Sequence, residues 1–146
     1  RHWRREQIPY EIVDKDARQE KPDNYRHVTV LVLGETTRAQ NWGLNGYLHQ
    51  TTPLLAARGD SIINFRQVTS CNTFTAGSVP CMLSDMDRSH FDSARAARRD
   101  NLLNILQRAG INVQWLDNDT GCKGACSNIP FRDLTALVHL DRIDVW

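Results

Sequence analysis

The sequence predicts an α/β fold on a mostly parallel sheet, and three observations carry that reading. Residues Val28–Leu33 form a β-branched-rich run, five of six apolar, that stops at Gly34, as a strand covered on both faces does. The leucine-rich pattern of Asn101–Ala109 leads into a second apolar segment, Ile111–Leu116, and strand, helix and strand in alternation favour parallel pairing. At 146 residues the chain can enclose one core, with no internal repeat or low-complexity tract to suggest another architecture.

In chain order, residues 1–24 are rich in charge and Gln, the composition of a linker or surface-laid arm ahead of a domain spanning residues 25–146. The Arg1–Arg5 cluster suits a solvated basic tail better than a contact with anionic phospholipid. Strand Val28–Leu33 follows, then a loop through Asn45-Gly46-Tyr47. Thr52 as N-cap and Pro53 at the first helical position predict a short helix to Arg58, ended by Gly59. Ser61–Phe65 is the second strand. Asp100 caps the helix Asn101–Ala109, Leu102, Leu103, Ile105 and Leu106 form its buried stripe, and Gly110 stops it. The third strand, Ile111–Leu116, delivers residues 117–123 at its carboxyl end, where ligands of such sheets collect.

A net charge of +1 advertises neither nucleic acid nor a membrane surface as partner. No apolar run approaches the roughly 18 residues of a membrane span, and no signal-peptide pattern is legible. Cys71, Cys81, Cys122 and Cys126 suit an exported protein and lie in two short-range pairs. They leave about three connectivities open, with a structural zinc site as the alternative, although their spacings do not match the usual two-residue knuckles.

Chemistry concentrates in Cys71-Asn-Thr-Phe-Thr-Ala-Gly-Ser-Val-Pro-Cys81, which leads into the helix-compatible Met82–Met86. Such a segment offers a hydroxyl nucleophile beside backbone N–H groups able to hold an anion, or else a Ser/Thr-rich turn closed by a structural disulfide. Glu35, just past the first strand, is placed to bind a hard metal or zinc, or to pair as a loop acid with Arg38. His2, His27, His49, His90 and His139 share no ligand spacing, and His49 and His90 read as exposed loop or helix-end residues.

Five motifs in register resemble the periplasmic catalytic domain of the lipid A phosphoethanolamine transferases, a family that includes the mobile colistin-resistance enzymes. They are Gly34-Glu35-Thr36-Thr37-Arg38, Asn45-Gly46-Tyr47, Cys71–Cys81 with Met82–Met86, Gln107–Val113, and Asp117–Cys126. The likeness covers about residues 28–137. It implies an alkaline-phosphatase/sulfatase-like fold, a mostly parallel central sheet flanked by helices, of which this chain would be only the first half. It also points to disulfides Cys71–Cys81 and Cys122–Cys126, the second holding Lys123 outward.

The resemblance further implies zinc-dependent transfer of phosphoethanolamine from phosphatidylethanolamine to lipid A phosphate through a phosphothreonine, conferring polymyxin resistance. Thr75 would be the nucleophile, activated by a metal ion that Glu35 and Thr75 coordinate. Thr73, Ser78, Asp119 and Lys123 would bind substrate, Lys123 by offsetting phosphoryl charge. Asp119 stands where relatives can carry an amide, and Gly77, where several have a bulkier residue, should loosen the loop. The family's N-terminal membrane domain and its later Asp and His zinc ligands fall outside residues 1–146. The implied location is the periplasmic face of the bacterial inner membrane. Two other readings compete. One is a sulfatase-like phosphohydrolase, which the nucleophile segment disfavours because it lacks the Cys-X-Pro-Ser-Arg or Asp-Ser-Ala pattern. The other is a non-catalytic truncated fragment with an incomplete zinc shell.

Overall fold

The computed structural model describes residues 9–20 and 24–137. Readings that involve His2, the Arg1–Arg5 cluster or His139 lie outside them. The chain divides into two compact units: Arg26–Ser70, and a second that joins residues up to Tyr25 to residues from Cys71 onward.

The Arg26–Ser70 unit contains helix α1, Pro53–Ala56, shorter than the expected run to Arg58. Thr52 stands at the N-cap, but its buried hydroxyl accepts from the Leu44 N–H at 3.1 Å instead of capping the helix. Gly59, at φ +53°, takes the left-handed conformation that ends the helical path. Neither expected strand of this unit forms. Residues 28–33 have no strand partner among the described residues, and Val30 and Val32 are 77 % and 81 % exposed. Ser61 closes a 3-10 turn, and Ile63 and Phe65 are exposed. A β-branched run records which residues suit a sheet; the ladder itself requires a neighbouring strand.

In the second unit, helix α2 spans Thr75–Leu83 and buries Gly77, Ser78, Val79, Cys81 and Leu83. It starts at the proposed nucleophile, earlier than the expected Met82, and tolerates Pro80 near its middle. Pro80 withholds the N–H that would bond the Ala76 carbonyl. Helix α3, Ser93–Ala96, packs against α2 and is capped by Asp92, which accepts from the Ala94 and Arg95 N–H groups.

Helix α4 spans Leu102–Arg108, and Asn101, not Asp100, is its cap. The Asn101 side chain accepts from Leu103 N–H at 2.9 Å while the Asn104 side chain accepts from Asn101 N–H at 3.0 Å. Asp100 turns away to Arg108 and Tyr10. The apolar stripe of α4 is only half-buried, with Leu102 44 % exposed. Gly110, at φ +85°, ends α4 as expected, with Gly110 N–H bonded to Gln107 O and Ile111 N–H to Leu106 O.

Strand β1 is Trp115–Asp117, later and shorter than the expected Ile111–Leu116. It pairs in parallel with β2, Phe131–Asp133, which the sequence reading did not anticipate. The parallel sense matches the α/β expectation. Residues 118–130 make the crossover and bury Ala125, Cys126 and Ile129, which with Val79, Cys81 and Leu83 are the buried apolar side chains of the described residues.

The arm is stitched to this unit. Glu11 N–H donates to Arg98 O at 2.7 Å and Asp100 N–H to Glu11 O at 3.0 Å, making a parallel bridge between Glu11 and Arg99. Glu11 also pairs with Arg95 and Arg99, and Arg99 with Asp85.

Candidate functional site

Thr75 is the first residue of α2, half-buried, with Phe74 at the N-cap in extended backbone (φ −134°, ψ 148°). The positive end of the helix dipole therefore lies at this hydroxyl, where it favours an arriving anion. The turn before it is held from three sides. The disulfide Cys71–Cys81 closes it. The buried Ser78 hydroxyl accepts from Asn72 N–H at 3.1 Å and donates to Asn72 O at 2.7 Å. Asn72 Oδ1 accepts from Thr73 N–H at 3.1 Å, and Thr73 itself is exposed.

Gly77 is buried in this segment. A Cβ there would lie 2.7 Å from Asn72 Nδ2 and 2.8 Å from Phe74 Cζ. Both atoms end side chains, and Gly77 leaves them that space.

The second cluster hangs from the end of β1. Asp117, 8 % exposed, accepts from Trp115 Nε1 at 3.1 Å, Gly121 N–H at 2.9 Å and Asp119 N–H at 3.2 Å. The Trp115 indole N–H, then the two amides, hold its pKa below the ordinary aspartate value. Asp117 thus orders the loop carrying Asp119 and Lys123, a role the sequence reading missed; a carboxylate ending a strand before Asn-Asp-Thr-Gly was the available signal. Asp119 is exposed and accepts from the Thr120 hydroxyl at 3.1 Å.

Cys122–Cys126 closes the second short loop. Lys123, at φ +53°, is not held outward as expected. Its ammonium folds back to donate to Thr120 O at 2.8 Å and to the Thr120 hydroxyl, because those oxygens lie within reach of a cation on so tight a loop. Lys123 also lines a cleft of about 180 Å³ with Ala76, Pro80, Ser84, Ala97 and Ser127. The nucleophile helix and the Lys123 loop therefore share one cleft, and Thr75 precedes its lining residue Ala76.

Glu35 belongs to the Arg26–Ser70 unit, is exposed, and accepts from the Thr36 hydroxyl at 2.7 Å; Thr36 is left-handed at φ +51°. All four cysteines are in disulfides, which removes the cysteine zinc site as an alternative. His49 packs edge-on to Tyr47, and exposed His90 bonds Asp87 at 2.9 Å. Among the described residues no three His, Cys, Asp or Glu side chains gather to hold a metal. These residues do not by themselves fit a zinc ion.

The sulfatase family model matches residues 27–138. Phosphoethanolamine transferase EptA of Escherichia coli K12 is 45% identical over 139 residues, 93% of this chain and 25% of that protein. Phosphatidylethanolamine transferase Mcr-1 of Escherichia coli is 42% identical over 118 residues, 80% of this chain and 22% of that protein. Among solved structures, the integral membrane lipooligosaccharide phosphoethanolamine transferase A of Neisseria meningitidis superposes with a TM-score of 0.87 at 57% identity, covering 92% of this chain and 25% of that one. This chain spans about a quarter of the length of the curated relatives it matches.

Proposed function

This chain belongs to the sulfatase family, and from that membership and its phosphoethanolamine transferase relatives we propose that the whole protein moves phosphoethanolamine from phosphatidylethanolamine to a phosphate of lipid A. The observation that carries this reading is Thr75, set at the N-terminus of α2 in a turn clamped by Cys71–Cys81 and by Ser78.

The Thr75 oxygen attacks the phosphorus of the donor. The phosphorus–oxygen bond to glycerol breaks, and the Thr75 proton ends on the departing diacylglycerol hydroxyl. A lipid A phosphate oxygen then attacks the same phosphorus and the Thr75 oxygen leaves, regaining the proton that the attacking phosphate hydroxyl gives up. Lys123 and the dipole of α2 offset the anionic charge of both lipids. Asp119 and Thr73 stand as the remaining substrate-facing polar groups. The ammonium of the added phosphoethanolamine offsets phosphate charge and lowers the net negative charge of lipid A, which weakens its hold on cationic polymyxins.

Zinc dependence is proposed for the whole protein, with Glu35 and Thr75 as the oxygen donors of this chain; bound zinc would supply Lewis-acid chemistry. Among the described residues no helix is long and apolar enough to cross a membrane. Attachment to the periplasmic face of the inner membrane is proposed from the resemblance and the two disulfides.

Mass spectrometry of lipid A from cells expressing the complete protein tests the reading. Thr75→Ala should abolish the modification, because loss of the nucleophile removes the two-step route, while Thr73→Ala should leave measurable transfer. Near-normal modification by Thr75→Ala would overturn it.

A further inference from the structure

We infer that Ser78 is a positioning residue for the Thr75 nucleophile and not a substrate contact, an inference that rests on the reading of Thr75 above. A serine hydroxyl carries one proton. In Ser78 that proton goes to the Asn72 carbonyl at 2.7 Å, and the same oxygen accepts from Asn72 N–H at 3.1 Å. A phosphoryl oxygen needs a donor, and Ser78 has none left to give. The side chain is also buried, at 8 % relative exposure.

The placement of the two bonds explains their use. Asn72 lies three residues before Thr75 and Ser78 three after, so the pair staples together the two ends of the turn that carries the reacting oxygen. The disulfide closes the same segment from outside, across a separation of 10 residues, and leaves the backbone within it many torsions. The Ser78 bonds act inside that ring. Gly77 leaves room beside them for the ends of the Asn72 and Phe74 side chains.

Turnover of a fluorescent phosphatidylethanolamine in detergent micelles, read as diacylglycerol release by a complete transferase carrying this segment, tests the role. Ser78→Ala and Ser78→Val should lower kcat about 10- to 100-fold, the scale of a nucleophile misplaced by about 1 Å. KM for the donor should stay within about twofold, since uniform binding is untouched. Ser78→Thr, which matches Val in volume and keeps the hydroxyl, should restore most of kcat. Equal losses in Thr and Val would assign the effect to packing and overturn the inference. So would a raised KM at intact kcat, or unimpaired Ser78→Ala beside an inactive Thr75→Ala. Wild-type turnover by Thr75→Ala would instead remove the nucleophile reading, and the Ser78 role with it.

Discussion

Removing the Asp100 carboxylate should free the N-terminal arm from the unit that carries Thr75. Asp100 is 5 % exposed and accepts from the Tyr10 hydroxyl at 2.9 Å and from Val13 N–H at 3.2 Å. It also pairs with Arg108, whose other guanidinium nitrogen donates to Val13 O at 2.6 Å. All three bonds end on an ionised carboxylate, a class that contributes about 1.5–3 kcal/mol each. The Arg108 side chain is 27 % exposed, so water recovers part of its solvation and the lower end of that range applies. Asp100→Ala should therefore cost about 4.5 kcal/mol. Limited proteolysis within residues 9–20 of the complete protein should accelerate about 1000-fold, since each 1.4 kcal/mol is a factor of about ten.

The same node sets a pH dependence. Burial raises the Asp100 pKa, but the hydrogen bonds from Arg108 and Tyr10 outweigh it and the value lies below that of an ordinary aspartate. A depressed carboxyl stabilises fully above its unfolded value, about pH 4, and loses that contribution as pH falls through the folded value. Arm cleavage in the wild type should thus quicken below about pH 4, and the Asp100→Ala profile should lack that Asp100-linked step. A loss under about 1 kcal/mol, with unchanged cleavage, would refute the reasoning.

Two further outcomes are expected. Asp117→Asn should weaken the loop after β1 by about 1–3 kcal/mol, because an amide nitrogen must face an N–H donor; hydrogen exchange at the Asp119 and Gly121 amides should quicken, and unchanged protection would deny Asp117 its ordering role. The isolated 146-residue chain should show no cooperative thermal transition and no zinc retained after dialysis against a weak chelator, since Val28, Val30, Leu31 and Val32 stand exposed and no metal cluster gathers among the described residues; a sharp calorimetric transition or stoichiometric zinc would contradict this.

The sequence by itself determined what depends on near neighbours. Gly110 ending α4 and Pro53 opening α1 follow from interactions a few residues apart, while the two cysteine pairings were implied by the family resemblance. The family was equally legible, because its motifs are strings of residue types whose order survives without coordinates. Tertiary structure alone decided the rest. Asp100 and Asn101 are equally good caps on paper, and a tyrosine 90 positions away drew Asp100 out of that role. Val28–Leu33 has the composition of a central strand, yet no described strand pairs with it. Ser78 reads as one more hydroxyl near a nucleophile until its proton is found on the Asn72 carbonyl, and Lys123 reads as an outward cation until Thr120 is found beneath it. Hydrogen bonds are short and directional, so which polar groups meet depends on where the chain returns in space, and no local pattern encodes that.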